Sequence, residues 1–161
     1  MLIRKTTEND IPEIDNIYAE AKRFMRETGN PGQWNSQYPN GESARADIEK
    51  GIGYVGEENG EIVAVFAFGD DGEPTYDKIY DGKWLNDEKY AYIHRITVKY
   101  KGRGHVAECF DYCFGVTPNL KIDTHKDNIP MQKALTRSGF VKCGIIYLES
   151  GEERIAFQKT K

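Results

Sequence analysis

The sequence has few of the features that mark membrane, disulfide-stabilised and nucleic-acid-binding proteins. Its 161 residues include only three cysteines, and no apolar run approaches the ~18 residues that a membrane-spanning helix needs. Positive charge is not in excess, because the formal net charge is -4, whereas nucleic-acid-binding domains usually carry a basic stripe. We therefore expect no membrane and no nucleic acid as partners. The odd cysteine count predicts a reducing, cytoplasmic location.

The composition is that of one folded domain. Hydrophobic residues make up 39% and aromatic residues 12% of the chain, which is typical of globular and not of disordered proteins. A chain of this length buries roughly 70% of its unfolded surface, enough for a hydrophobic core. We predict a single domain over residues 1–161.

Hydrophobic periodicity predicts strands that alternate with helices in the second half of the chain. This order is typical of an α/β fold with a partly parallel sheet covered on both faces. The predicted strands are 2–5, 52–56, 61–68, 90–98, 120–124, 141–148 and 154–158, and the predicted helices begin near residues 11, 43, 105 and 128. Residues 69–88 are polar and Gly-rich, and we interpret this long loop as a flap because loops of such length are usually functional or disordered.

A glycine-rich turn joins the strand that ends at Val98 to the helix that begins near His105. Gly102 and Gly104 let the backbone approach a ligand closely, and the free N–H groups at the helix start form a seat for a pyrophosphate. Lys101 and Arg103 add positive charge. Such a turn can equally be a plain structural turn.

Two motifs in this order resemble those of the GNAT acyltransferases. The run Lys101-Gly102-Arg103-Gly104-His105-Val106 is similar to their phosphate loop, with Lys101 in place of Arg or Gln and Val106 in place of a small residue. The second motif is a strand ending at Thr124, then Asn128, a helix over 131–138, and Gly139-Phe140 opening the next strand. The resemblance covers nearly the whole chain.

The resemblance implies a fold, a co-substrate and binding residues. The fold is a mixed, mostly antiparallel central sheet with a splayed parallel strand pair and helices on both faces. The co-substrate is acetyl-CoA, and the acceptor is a primary amine of a small molecule, amino acid or peptide; the protein is expected to be a monomer or homodimer. Ile96, Thr97 and Val98 are expected to contact pantetheine, Asn128 to lie near the pantetheine or adenosine-phosphate arm, and the phosphate-binding residues to be Lys101, Gly102, Arg103, Gly104, His105, Val106 and Ala107.

Candidates for proton transfer are fewer. His94 lies on the strand before the phosphate loop, and an imidazole suits a general base; alternatively, it is hydrogen-bonded within the sheet. Many family members have an acid tyrosine where this chain has Leu135, so Tyr147 becomes the candidate acid. Asp123, His125 and Asn128 do not form a convincing metal set, and we expect no metal site but a turn that caps the next helix.

Other residues have two interpretations each. Cys109 and Cys113 suit core packing better than metal or redox chemistry, although Cys113 could pair with Cys143. Trp34, Tyr38 and Trp84 either line the acceptor entrance or anchor loops. The alternative function is a non-catalytic acyl-CoA-binding regulatory module, and a nucleotide-binding fold is disfavoured because the turn lacks the Lys-Ser/Thr ending of a P-loop.

Overall fold

A computed structural model describes all 161 residues, and its elements follow the predicted order. The strands are β1 (Leu2–Lys5), β2 (Gly53–Glu58), β3 (Glu61–Gly69), β4 (Ala91–Val98), β5 (Asn119–Thr124), β6 (Val141–Tyr147) and β7 (Glu153–Thr160). The helices are α1 (Ile11–Glu27), α2 (Gly41–Lys50), α3 (His105–Val116) and α4 (Ile129–Arg137).

The strands form one seven-stranded sheet in the order β1-β2-β3-β4-β5-β7-β6. All neighbouring strands are antiparallel except β4 and β5, which run parallel and pair only at Ala91–Leu120 and Tyr92–Lys121. Beyond those pairs the two strands separate. The expected mixed α/β fold with a splayed parallel pair is confirmed.

Local sequence signals account for the ends of several elements. The backbone N–H of Thr7 donates to the Asp10 carboxylate at 2.7 Å, which is a capping contact just before α1. Asn59 and Gly60 both have positive φ angles (54° and 79°), which is the geometry of the tight β2–β3 turn. Gly51 ends α2 in the left-handed conformation.

Alternate residues of a strand point to opposite faces of the sheet. Helices cover both of these faces. On one face, Phe66 and Ile93 pack with Cys109 and Phe110 of α3 and Leu135 of α4. On the other face, a second cluster joins α1 and α2 to the sheet; it contains Ile14, Ile17, Tyr18, Ala44, Val55 and Val65.

The segment of residues 70–90 covers the rest of that second face, which differs from the flap we expected. Tyr76 is buried, and the Trp84 indole donates to the Tyr76 carbonyl at 2.8 Å. Tyr80 forms a bridge with Ile145 of β6. The segment contains no long helix or strand, and its aromatic side chains and backbone hydrogen bonds to the sheet hold it in place. Sequence periodicity does not reveal such contacts.

The three cysteines are free and buried, so Cys113 and Cys143 are not paired. Cys109 and Cys113 belong to the core, as expected for structural thiols, and burial raises the pKa of Cys109 to about 12. No helix combines the length and the apolar character that crossing a bilayer requires.

Candidate active site

A cavity of about 1040 Å³ opens where β4 and β5 separate. It is large enough for a cofactor-sized ligand, since small-molecule pockets usually measure roughly 300–1,000 Å³. The walls come from α1, the loop after α1, β4, β5 and α4. Every predicted site residue lines this cavity except Arg103 and Tyr147.

The divergence of the strands exposes one edge of β4. Ile96, Thr97 and Val98 lie beyond the last β4–β5 pair, so their backbone groups on that side have no strand partner. Opposite β3, Val65 pairs with Thr97 and Ala67 with His94, which leaves two β4 residues facing Phe66 alone. This β-bulge bends the strand and re-aims its side chains at the point where the cavity begins.

The turn before α3 has the geometry of an anion seat. Gly102 and Gly104 have φ angles of +74° and +77°, and a Cβ on either would point into open space. The N–H groups of residues 105–107 begin α3 and have no carbonyl partner within the helix. These groups, with the positive end of the helix dipole, can hold a phosphate.

Side chains around this seat differ in what they contribute. Lys101 lies over the Phe24 ring at 4.5 Å and lines the cavity. Arg137, at the end of α4, also lines the cavity. Arg103 instead stacks on the Tyr100 ring at 4.2 Å, outside the cavity wall. The His105 ring is buried, with Nε2 3.1 Å from Glu58 Oε2, so we expect this residue to serve the seat through its backbone N–H.

Asn128 links α4 to the loop that follows α1. Its Oδ1 accepts from the Met131 N–H at 3.2 Å, which caps α4, and its Nδ2 donates to Gln33 Oε1 at 2.9 Å. The same Gln33 oxygen accepts from Asn30 Nδ2 at 2.8 Å, and the Gln33 carbonyl accepts from buried Arg154 at 3.1 Å. Gln33 therefore joins both walls of the cavity.

Replacing Asn128 is expected to separate its two roles. Asn128→Ala removes the helix cap and the bond to Gln33, and we expect a loss of about 1 kcal/mol in the free energy of unfolding together with weaker CoA binding. Asn128→Asp can still cap α4 but cannot donate to Gln33. Denaturant unfolding and calorimetric titration with CoA measure the two effects, and an Asn128→Asp variant with wild-type CoA affinity would mean that the amide donor is dispensable.

His94 and Glu73 form a hydrogen-bonded pair at the opposite end of the cavity from the phosphate seat. His94 Nε2 lies 2.9 Å from Glu73 Oε2, and Thr75 donates its backbone N–H and hydroxyl to Glu73 Oε1. The bond to His94 outweighs partial burial and lowers the pKa of Glu73 to about 2. The carboxylate can only accept, so His94 Nε2 carries the proton, and in the neutral imidazole Nδ1 then keeps a free lone pair.

The surroundings of this pair are acidic and aromatic. Tyr92 packs on the His94 ring with centroids 4.7 Å apart and donates its hydroxyl to Asp71 at 2.6 Å. Buried Tyr76 donates to Asp123 at 2.6 Å, and Asp123 lines the cavity. Negative charge here favours a cationic ligand.

Not all of the other residues considered from the sequence reach the cavity. Tyr147 lies on the exposed side of β6, where it packs edge-on against Tyr80 with centroids 5.3 Å apart. Leu135 is fully buried in the core. Trp84 anchors the segment of residues 70–90, while Trp34 and Tyr38 line the cavity. No group of three or more His, Cys, Asp or Glu residues is arranged to hold a metal ion, and His125 Nδ1 accepts from the Asp127 N–H in the turn before α4.

Sequence reasoning missed the partners that orient the site. Glu73 belongs to no motif that marks it as functional, and it lies 21 residues from His94 in the chain. Gln33 lies 95 residues from Asn128 and belongs to no motif. Tertiary contacts alone bring these residues together.

Known structures resemble this one closely. A GNAT-family acetyltransferase from Streptococcus agalactiae is similar with a TM-score of 0.90 and 34% identity, covering 99% of this chain and 95% of that one. A GNAT-family acetyltransferase from Listeria monocytogenes shares the fold at a TM-score of 0.72 and 19% identity, over 98% and 93% of the two chains. A Salmonella typhimurium protein solved with its cofactor acetyl-CoA shares it at 0.65 and 16%, over 99% and 92%. Comparisons with protein-family models and with curated proteins found no match.

Proposed function

The chain belongs to the GNAT family of acetyltransferases, and we propose that it transfers an acetyl group from acetyl-CoA directly to a primary amine. The observation that carries this proposal is the His94–Glu73 pair, which lies in the same cavity as the anion seat at the start of α3. One end of the cavity suits a pyrophosphate, and the other end suits the removal of a proton from a protonated amine.

The donor set fits acetyl-CoA. The unpaired edge of β4 at residues 96–98 would bind the amides of the pantetheine arm, and the N–H groups of residues 105–107 would bind the pyrophosphate. Lys101 and Arg137 would offset the phosphate charge. Bound acetyl-CoA supplies an acetyl thioester, and the cavity walls would hold it beside the acceptor so that the two reactants meet in a fixed orientation.

His94 would act as the general base. An alkyl amine has a pKa near 10.4 and is mostly protonated at neutral pH, so it needs to lose a proton before it can attack a carbonyl. His94 Nδ1 has its lone pair free because Glu73 holds the Nε2 proton. The ionised Glu73 also stabilises the positive charge that His94 gains on taking up a proton.

The acceptor would be a cation at neutral pH. Five carboxylates line this cavity, namely Glu73, Asp123, Asp127, Glu149 and Glu152, and two of its arginines, Arg95 and Arg154, are engaged with protein groups. The aromatic wall of Trp34 and Tyr38 suits an apolar part of the same molecule. These features support an amine of a small molecule, amino acid or peptide. We also propose a cytoplasmic location, which the three reduced cysteines support.

Thermal unfolding with and without acetyl-CoA or CoA tests the proposal. A ligand present at 100 times its Kd and bound only to the native state adds about 2.7 kcal/mol of stability. For a protein of this size that corresponds to a rise in Tm of roughly 5–10 °C. ATP and NAD at the same concentration serve as phosphate-bearing controls and should give a smaller shift.

Turnover then separates a catalyst from a regulatory binding module. Release of free CoA thiol, followed across a panel of primary amines, should increase with the added amine. Stabilisation by CoA without release of thiol for any amine would support the binding-module alternative, and the absence of any stabilisation would refute the cofactor assignment.

A further inference from the structure

The Tyr38 hydroxyl is oriented by a buried arginine. Arg95 Nη1 donates to the Tyr38 hydroxyl oxygen at 3.1 Å, and Tyr38 lines the cavity with 44% of its surface exposed. Because the oxygen accepts this bond and has no other protein partner, its own hydrogen is free to be donated to a ligand.

Arg95 is itself held in one position at the bulge of β4. Its φ angle is +54°, a left-handed conformation that non-glycine residues adopt rarely and mostly at sites where surrounding contacts impose it. Its Nη2 is bonded to the buried Asp47 of α2. Burial disfavours its charge, but Tyr38 and Asp47 outweigh that effect and raise the pKa of Arg95, so it remains a cation.

Hydrogen bonds from α1 and within the turn fix the loop that carries Tyr38. Asn35 and Tyr38 exchange backbone hydrogen bonds, which makes a tight turn. Buried Lys22 of α1 donates to the Ser36 carbonyl at 3.3 Å and to the Pro39 carbonyl at 2.8 Å. The phenol is therefore presented to the cavity by a constrained turn and not by a free loop end.

The phenol also lies at the position where a proton donor is needed. Arg95 lies three residues beyond Tyr92, the last β4 residue that pairs with β5, so the hydroxyl it holds is where the strands have separated, at the end of the cavity remote from the anion seat. Two other hydroxyls of the wall next to β4 are committed: Tyr100 donates to Glu61 at 2.7 Å, and Thr97 donates to the Arg95 carbonyl at 3.0 Å.

We propose that Tyr38 is a catalytic residue that gives its hydroxyl proton to the sulfur leaving the thioester. The inference rests on the proposed acetyl transfer. The amine nitrogen forms a bond to the acetyl carbon, the carbon–sulfur bond breaks with its electron pair on sulfur, and sulfur takes the Tyr38 proton. His94 takes the proton that the amine loses, and Tyr38 regains a proton from solvent. The Arg95 guanidinium, which lies 3.1 Å from the phenol oxygen, stabilises the negative charge that this oxygen gains as its proton leaves.

A binding measurement tests the contact between the phenol and sulfur without relying on turnover. Isothermal titration at pH 9 compares CoA with desulfo-CoA for the wild type and Tyr38→Phe. The wild type should prefer CoA, and Tyr38→Phe should lose roughly 10-fold of that preference, because a hydrogen bond to a charged group is removed. The kcat of the variant should fall by roughly 10²-fold or more.

Tyr80→Phe is the matched control, since Tyr80 is 46% exposed and lies against Tyr147, away from the cavity. It should keep the wild-type preference for CoA. An unchanged preference in Tyr38→Phe, or a rise only in the KM of the amine, would overturn the proposal and make Tyr38 an acceptor-recognition residue. Failure of the wild type to bind CoA would instead refute the proposed function.

Discussion

Gly104→Glu is expected to abolish the stabilisation by CoA. A glutamate at this position puts a negative charge beside the N–H groups that begin α3, where the pyrophosphate would lie. Repulsion between two charges about 4 Å apart near a protein surface is on the order of 4 kcal/mol, so CoA affinity should fall by roughly 100-fold or more. Calorimetric titration and the ligand-induced shift in Tm both measure the loss.

A control is necessary because Gly104 has a positive φ angle, and any side chain there costs about 1–2 kcal/mol. Gly60→Glu imposes similar strain, since Gly60 has φ +79° and equally open space, but it lies in the β2–β3 turn outside the cavity. Both variants should lose similar stability without ligand. If Gly60→Glu lost CoA binding as well, or if Gly104→Glu kept it, the phosphate seat would be misassigned.

His94→Gln is expected to lower kcat by roughly 10²- to 10⁴-fold while leaving CoA affinity unchanged. Glutamine can keep a hydrogen bond to Glu73 but cannot take up a proton. A base works only when deprotonated, so wild-type kcat should fall as the pH is lowered. The variant should retain a small rate that lacks this acidic limb.

His125→Gln is the matched histidine control, because the His125 side chain does not line the main cavity and bonds the Asp127 N–H in the turn before α4. Its pH profile should follow the wild type. Glu73→Gln should lower kcat less than His94→Gln, and the double variant should be no worse than His94→Gln, since both residues serve one proton transfer. A wild-type acidic limb in His94→Gln would exclude His94 as the base.

Most of the fold could be predicted because its elements carry strong local signals. Asn59-Gly60 specifies a hairpin turn, and the spacing of Ile14, Ile17 and Tyr18 specifies a helix with one buried face. Residues 70–90 could not be predicted in the same way. Their structure depends on contacts with strands that come more than 60 residues later in the chain, such as the Tyr80–Ile145 bridge.

The residues of the site also divide into those that local sequence predicts and those that depend on tertiary contacts. Residues 96–98 and the glycines of the phosphate turn could be predicted because the local sequence determines the backbone geometry of a strand and of a glycine-rich turn. Tyr147 was proposed for a chemical property, but the direction of a side chain on an edge strand depends on strand register, and the structure puts it on the exposed side. Glu73 and Tyr38 acquire their functional partners only through tertiary contacts.

The anchoring of residues 70–90 also sets the order in which the molecule can be assembled. The Lys83 N–H bonds to the Cys143 carbonyl at 3.0 Å, and the Leu85 N–H bonds to the Gln158 side chain at 2.8 Å. These bonds close chain loops of high sequence separation, which are entropically costly and form slowly. During synthesis from the N-terminus, Glu73 cannot be fixed beside His94 by these anchors until β6 and β7 have emerged. The geometry of the His94–Glu73 pair therefore depends on strands that are synthesised more than 45 residues after it.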